Sequence, residues 1–184
     1  MNETARETQQ SDHGNNPAID PADVAAIEAQ LGRAPRGIAA VGHRCPCGNP
    51  DVVTTKPRLP NGTPFPTTFY LTCPRAVSLI GTLEGSGLMK QMQARLADDA
   101  DLAAAYGRAH EAYLAFRRDL GEVAEIEGIS AGGMPDRVKC LHVLAGHALA
   151  AGPGVNPLGD EVLAHLGEWW ASGPCVAAGA QVDE

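Results

Sequence analysis

Four cysteines in short, distinctive contexts could hold a soft metal ion. Cys45 and Cys47 lie in His43-Arg-Cys-Pro-Cys-Gly48, Cys73 in Thr72-Cys-Pro-Arg75, and Cys140 in Lys139-Cys-Leu-His142. With His142 and His147 nearby, the set supplies ligands for one zinc ion or one iron–sulfur cluster. In an extended segment, side chains at i and i+2 point the same way, so both sulfurs of Cys45-Pro46-Cys47 can reach one ion. The usual zinc-knuckle spacing, Cys-Pro-x-Cys-Gly, is one residue longer, which keeps an iron–sulfur cluster open beside zinc. On a helix, Cys140 and His147 stand two turns apart, about 10 Å along the axis, too far to share an ion. Cys140 can join His142 only where the first helical turn is distorted. Cys175 falls in a terminal stretch and is left out of the set. The plainer reading is that the thiols are free and fill space in the core.

A second constellation suits an anion. Gly132 and Gly133 precede Pro135, read as the first residue of a helix, and Arg137 and Lys139 follow. Free N–H groups at a helix start, completed by these two cations, would bind a phosphate or carboxylate. The stretch lacks the Gly-Lys-Ser/Thr ending of a P-loop, and two glycines before a helix also make an ordinary turn. Arg137, His147 and Asp160 are the candidate catalytic groups around such a substrate. The plain role of Asp160 is a favourable charge in the first turn of its own helix.

Charge narrows the function classes. The formal net charge is −8, which argues against a broad nucleic-acid footprint. Residues 33–75 run the other way, with six basic residues against Asp51 alone, so the rest of the chain carries −13. Three candidate ligands, Cys45, Cys47 and Cys73, lie in that basic segment, where positive neighbours favour the thiolate. A solvated basic face is the bland alternative. No apolar run reaches the roughly 18 to 20 residues of a membrane span, and no secretory signal is present, so a cytoplasmic location is expected. An odd count of five cysteines in that compartment favours thiol or metal chemistry over a disulfide framework.

These groups need elements to position them. Asp20-Pro21 starts a helix whose apolar face is Val24, Ile27 and Leu31, and Gly32 stops it. Asp51–Lys56 and Thr67–Thr72 read as two antiparallel strands, joined through the turn chemistry of Leu59-Pro-Asn-Gly-Thr63. That pairing brings Cys47 and Cys73 to the same end of the sheet. Residues 77–96 read as helix interrupted at Gly85-Ser-Gly87. Leu102, Tyr106, Ala109, Tyr113, Phe116, Leu120 and Val123 draw one stripe along a long helix, a core face or a seam for a partner. Asn156 and Pro157 cap a last helix with Leu158, Val162, Leu166 and Trp169 inward. The fold expected is α+β: a mainly helical single domain over residues 19–172 with a small antiparallel sheet carrying the Cys-Pro-Cys segment. Residues 1–18 are expected to form a disordered tail and 173–184 a C-terminal tail.

Several motifs together resemble a known family: Arg44-Cys-Pro-Cys-Gly48, Pro57-Arg-Leu-Pro-Asn-Gly-Thr-Pro-Phe-Pro66, Leu71-Thr-Cys-Pro74, Gly132-Gly-Met-Pro-Asp-Arg-Val-Lys-Cys-Leu-His142 and Gly152-Pro-Gly-Val-Asn-Pro-Leu-Gly-Asp160. The chain is similar over residues 28–171 to the actinobacterial domain-of-unknown-function family number five hundred and one. The resemblance implies a cytoplasmic protein encoded beside a septum-formation initiator, enolase and an exopolyphosphatase, and implies no activity. Three functions are therefore open. The first is a structural metal site of Cys45, Cys47, Cys73, Cys140 and His142. The second is an enzyme for an anionic small molecule, and the third a module that docks on a cell-division protein.

Overall fold

The polypeptide alternates short capped helices with one three-stranded sheet, and a computed structural model describes residues 19–177. The expected tail at 1–18 and the last seven residues of the expected tail at 173–184 lie outside the described residues. Asp20 caps helix α1 (Pro21–Leu31) by accepting the Ala22 N–H at 2.8 Å, and Gly32, with φ of 65°, ends it in the left-handed region that favours glycine.

Strands β1 (Ile38–Arg44), β2 (Pro50–Thr55) and β3 (Phe69–Leu71) form an antiparallel sheet in that order. The β-branched run Val52-Val-Thr-Thr55 explains β2, which is buried along its whole length and therefore central. β2 and β3 match the two strands expected, whereas β1 is an addition. Its Ile-Ala-Ala-Val-Gly-His-Arg sequence has little β character of its own. Pairing with β2 supplies the order, and the register slips at three places. The expected turn forms, with the Leu59 N–H bonded to Thr63 O at 2.9 Å and the Gly62 N–H to Leu59 O at 2.8 Å.

Cys73 opens α2 (Pro74–Gly85), and the expected break at Gly85-Ser-Gly87 separates it from α3 (Leu88–Asp98). Asp99 caps α4 (Ala100–Leu120) through the Leu102 N–H. Tyr106, Ala109 and Tyr113 of the α4 stripe are fully buried in the protein's own core. The Tyr113 hydroxyl donates to Pro66 O at 3.0 Å and accepts the Thr68 N–H at 2.6 Å, tying α4 to the segment entering β3. The stripe weakens beyond that point: Phe116 is 40% exposed although its ring meets Phe69, and Val123 lies past the helix end.

The helix expected to begin at Pro135 does not. Residues 132–140 form a turn followed by extended chain, and α5 covers Leu141–Ala151. The Arg137 and Lys139 N–H groups bond to the carbonyls of Gly133 and Gly132, both at 2.8 Å. This folds the glycine loop on itself and leaves it no helix terminus to present. The last helix, α6 (Pro157–Leu166), starts as expected, with the Asn156 side chain accepting the Gly159 N–H at 3.0 Å. Leu158 and Val162 are fully buried, and Trp169 follows them into the core. Among the described residues, no helix is long and apolar enough to cross a membrane.

Glycines set two close approaches. A Cβ at Gly146 of α5 would lie 3.0 Å from Phe69 O in β3. One at Gly159 of α6 would collide with Leu144 O and stand 2.8 Å from the Ala148 Cβ. Gly159→Ala must force α6 away from α5, so its chemical-unfolding midpoint falls, with a loss of about 1–3 kcal/mol. Gly81→Ala, in open space on α2, leaves the midpoint unchanged or higher.

Candidate metal centre

Cys45 and Cys47 occupy the turn between β1 and β2. The segment is a tight turn, not the extended piece expected, since the Gly48 N–H reaches Cys45 O at 2.8 Å and the Cys45 N–H reaches Asn49 O at 3.0 Å. The two sulfurs still face each other. β2 and β3 run antiparallel, so Cys73, just past β3, returns to this end of the sheet.

The fourth thiol here is Cys175. The C-terminal stretch is held by three side chains: Arg75 donates to Gly173 O, Gln30 to the Cys175 sulfur at 3.3 Å, and Asn49 to Val176 O at 3.1 Å. Residues 173–177 therefore pack on the body of the protein. The Cys175 N–H points to the Cys47 sulfur, and its own sulfur faces Cys73. Nothing in the local sequence of Cys175 announces this, because its partners are 100 to 130 positions away and the contact exists only after folding. An unassigned fifth cysteine was the one signal available.

Burial and hydrogen bonding compete over these thiols. Burial pushes Cys45 up to about 12 and Cys73 up to about 11. Cys47 lies below the ordinary thiol value, because N–H groups of Asn49 and Cys175 and the Cys45 thiol together outweigh its burial. Backbone N–H groups act on all three: that of Cys47 on Cys45, that of Asn49 on Cys47, and those of Ala76 and then Arg75 on Cys73. At Cys73 this is an electrostatic approach at the helix N-terminus, not a capping hydrogen bond of good geometry. Such donors stabilise charge on sulfur.

Polar groups around the cluster are left incomplete. Asp51 is fully buried; its Oδ1 lies 2.7 Å from His43 Nδ1, while its Oδ2 has no partner. Gln30 Oε1 and Thr72 Oγ1 are also buried without one.

Cys140 and His142 stand apart from this cluster. Cys140 is the N-cap of α5 and His142 lies in its first turn, with sulfur and Nδ1 3.9 Å apart. Glu84, near the end of α2, joins them: its Oε1 is 3.2 Å from His142 Nδ1 and accepts the Leu141 N–H at 2.7 Å. The structure thus divides the expected ligand set: Cys45 pairs with Cys47, Cys73 lies at the same end of the sheet, and Cys140 and His142 stand with Glu84. His142 is pushed up to about 9, chiefly by its hydrogen bond to Cys140, with Glu84 and the Val77 carbonyl adding to it against burial.

Each candidate catalytic group has a structural partner. Asp160 accepts the Gly154 N–H at 2.8 Å, stabilising the loop before its own helix. His147 is almost fully buried, stacked on Phe69 with centroids 5.1 Å apart, and its Nδ1 faces the Asn156 amide at 3.2 Å. Arg137 enters this neighbourhood by its backbone, whose carbonyl accepts the Tyr106 hydroxyl at 3.1 Å.

A mainly helical α+β protein with a small antiparallel sheet is thereby defined, and among its described residues Glu84, Cys140 and His142 form a group that could hold a metal ion. The chain belongs to the family described as Protein of unknown function (DUF501), which it matches over residues 41–164. That span includes Cys45, Cys47, Cys73, Cys140 and His142 and ends before Cys175. No curated protein and no solved structure matches the chain.

Burial of His147 has a consequence for acid stability. Desolvation lowers it from 6.5 to about 4, so the folded state holds it neutral while the unfolded chain takes up a proton below 6.5. Its stabilising effect is complete above pH 6.5 and disappears as pH falls toward 4, on the order of 3 kcal/mol at the acid end. Urea midpoints measured between pH 7.5 and 4 should therefore fall more steeply for the wild type than for His147→Gln.

Proposed function

We propose that this protein binds zinc through Cys45, Cys47, Cys73 and Cys175, and that the ion serves structure. The observation that carries the reading is two facing thiol pairs, Cys45 with Cys47 and Cys73 with Cys175, linked by the Cys175 N–H directed at the Cys47 sulfur, with backbone N–H groups aimed at three of the four sulfurs. No three of these sulfurs lie within 4.8 Å of one another, so an ion would draw the two pairs together. Four thiolates suit a closed tetrahedral site with no position left for substrate. Buried thiols at Cys45 and Cys73 resist ionisation by themselves, and a divalent cation supplies the charge that makes deprotonation favourable. The N–H donors and Gln30 act as the outer layer that orients sulfur and spreads its charge.

Such an ion would join the β1–β2 turn, the start of α2 and the C-terminal stretch, three pieces otherwise linked by a handful of hydrogen bonds. An iron–sulfur cluster could use the same four ligands, and absorbance separates the two. Protein purified without a metal-affinity tag and without oxygen should carry zinc that survives dialysis and show no visible band. Cys47→Ser and Cys175→Ser should each release it and lower Tm by about 10 °C, as expected for the loss of a few kcal/mol from a chain of this size. A broad band near 400 nm would assign iron and sulfide instead. A wild type that folds fully metal-free, with all five thiols titrating freely in the native state, rules the reading out.

A further inference from the structure

We propose that Glu84, Cys140 and His142 form a second, solvent-accessible metal site that takes a zinc-class divalent ion and leaves its fourth position for water or another small ligand. The inference stands apart from the four-cysteine reading, since it uses different residues on different elements.

One atom from each side chain, the Glu84 carboxylate oxygen, the Cys140 sulfur and a His142 ring nitrogen, lies within 4.8 Å of the other two. The separations fit one ion. Tetrahedral zinc with metal–nitrogen and metal–oxygen distances of about 2.0–2.1 Å and metal–sulfur of about 2.3 Å places N and O about 3.3 Å apart and S and N about 3.6 Å apart. The corresponding distances here are 3.2 Å between His142 Nδ1 and Glu84 Oε1 and 3.9 Å between Cys140 Sγ and His142 Nδ1.

The surroundings prepare each ligand. His142 Nε2 is 3.1 Å from the Val77 carbonyl, which fixes a proton on that nitrogen and turns the Nδ1 lone pair toward Cys140 and Glu84. The Leu141 N–H holds the Glu84 carboxylate in place. Cys140 is extended, with φ of −155° and ψ of 111°, and this lets its side chain approach that of His142 two positions on. One thiolate and one carboxylate with a neutral imidazole balance a 2+ charge, which a half-buried position requires. Mixed sulfur, nitrogen and oxygen donors suit zinc better than the hard ions calcium and magnesium. Three protein ligands with side chains partly open to water leave room for one more, the arrangement of zinc sites that do chemistry.

The rival occupant is a proton, with His142 as an imidazolium bridging Glu84 and the Val77 carbonyl. Equilibrium dialysis of the full chain against zinc, combined with iodoacetamide labelling read residue by residue, distinguishes the two. The wild type should bind one equivalent more than Cys140→Ser or Glu84→Gln, and Cys175→Ser should retain that equivalent. Zinc should slow alkylation of Cys140 in the wild type at least about tenfold, since the coordinated thiolate is no longer the free nucleophile. Glu84→Gln keeps an acceptor for the Leu141 N–H, so its loss of zinc reports ligation and not unfolding. Equal zinc in wild type and Cys140→Ser, with Cys140 alkylated at one rate throughout, overturns the proposal whatever Cys175→Ser does. Loss of zinc in Cys175→Ser alone would leave the four-cysteine reading standing and this one refuted; loss in Cys140→Ser alone would do the reverse.

Discussion

Helix α5 can lie at the centre of this protein only because two glycines let backbone meet backbone. Gly146 brings it against the Phe69 carbonyl of β3, and Gly159 lets α6 settle onto its Leu144 turn. Once there, α5 buries Leu141, Leu144, Ala145 and His147, and its first turn meets the end of α2. The packing of His147 on Phe69 and Tyr113 follows from the same placement. So does the meeting of Glu84 with Cys140 and His142, because the helix start carries two of those residues to the third.

Charge follows the backbone. The start of α5 offers an unpaired N–H, and the protein fills it with its own carboxylate, Glu84, which is the anion a helix N-terminus favours. The start of α2 does the corresponding thing for the Cys73 sulfur. Both candidate centres therefore lie where a helix terminus and a donor side chain coincide. The basic segment around the first three cysteines adds less than its formal charge suggests: Arg44 pairs with Asp23, Arg58 with Glu125, and Arg75 holds the C-terminal stretch. Backbone N–H groups, not those cations, are what act on these sulfurs.

Much of the architecture was legible in the sequence. Asp20 and Asn156 each cap the helix they precede, and Pro21 and Pro157 begin theirs, since capping depends on residues within one turn. β2 was visible from its β-branched run, and the placing of Cys47 and Cys73 at one end of the sheet followed from antiparallel pairing alone. β1 was not visible, because its order comes from a neighbour. Pro135 misled for a related reason: proline fits a first helical turn, yet here the 132–139 loop closes through its own carbonyls and the helix waits until Leu141.

What the sequence by itself determined is local: helix starts and stops, the central strands, the mainly helical α+β class, and cysteine types suited to soft metals. What only the tertiary structure decided is which of those cysteines belong together. Cys175 joins Cys73 and Cys47 across about a hundred residues, Cys140 departs to Glu84, and His147 is buried in the core against Phe69. The division has a physical cause. Caps, turns and strand propensity act over a few bonds, whereas a metal site depends on distances of a few ångströms between side chains that meet only when burial of the core has brought their elements together.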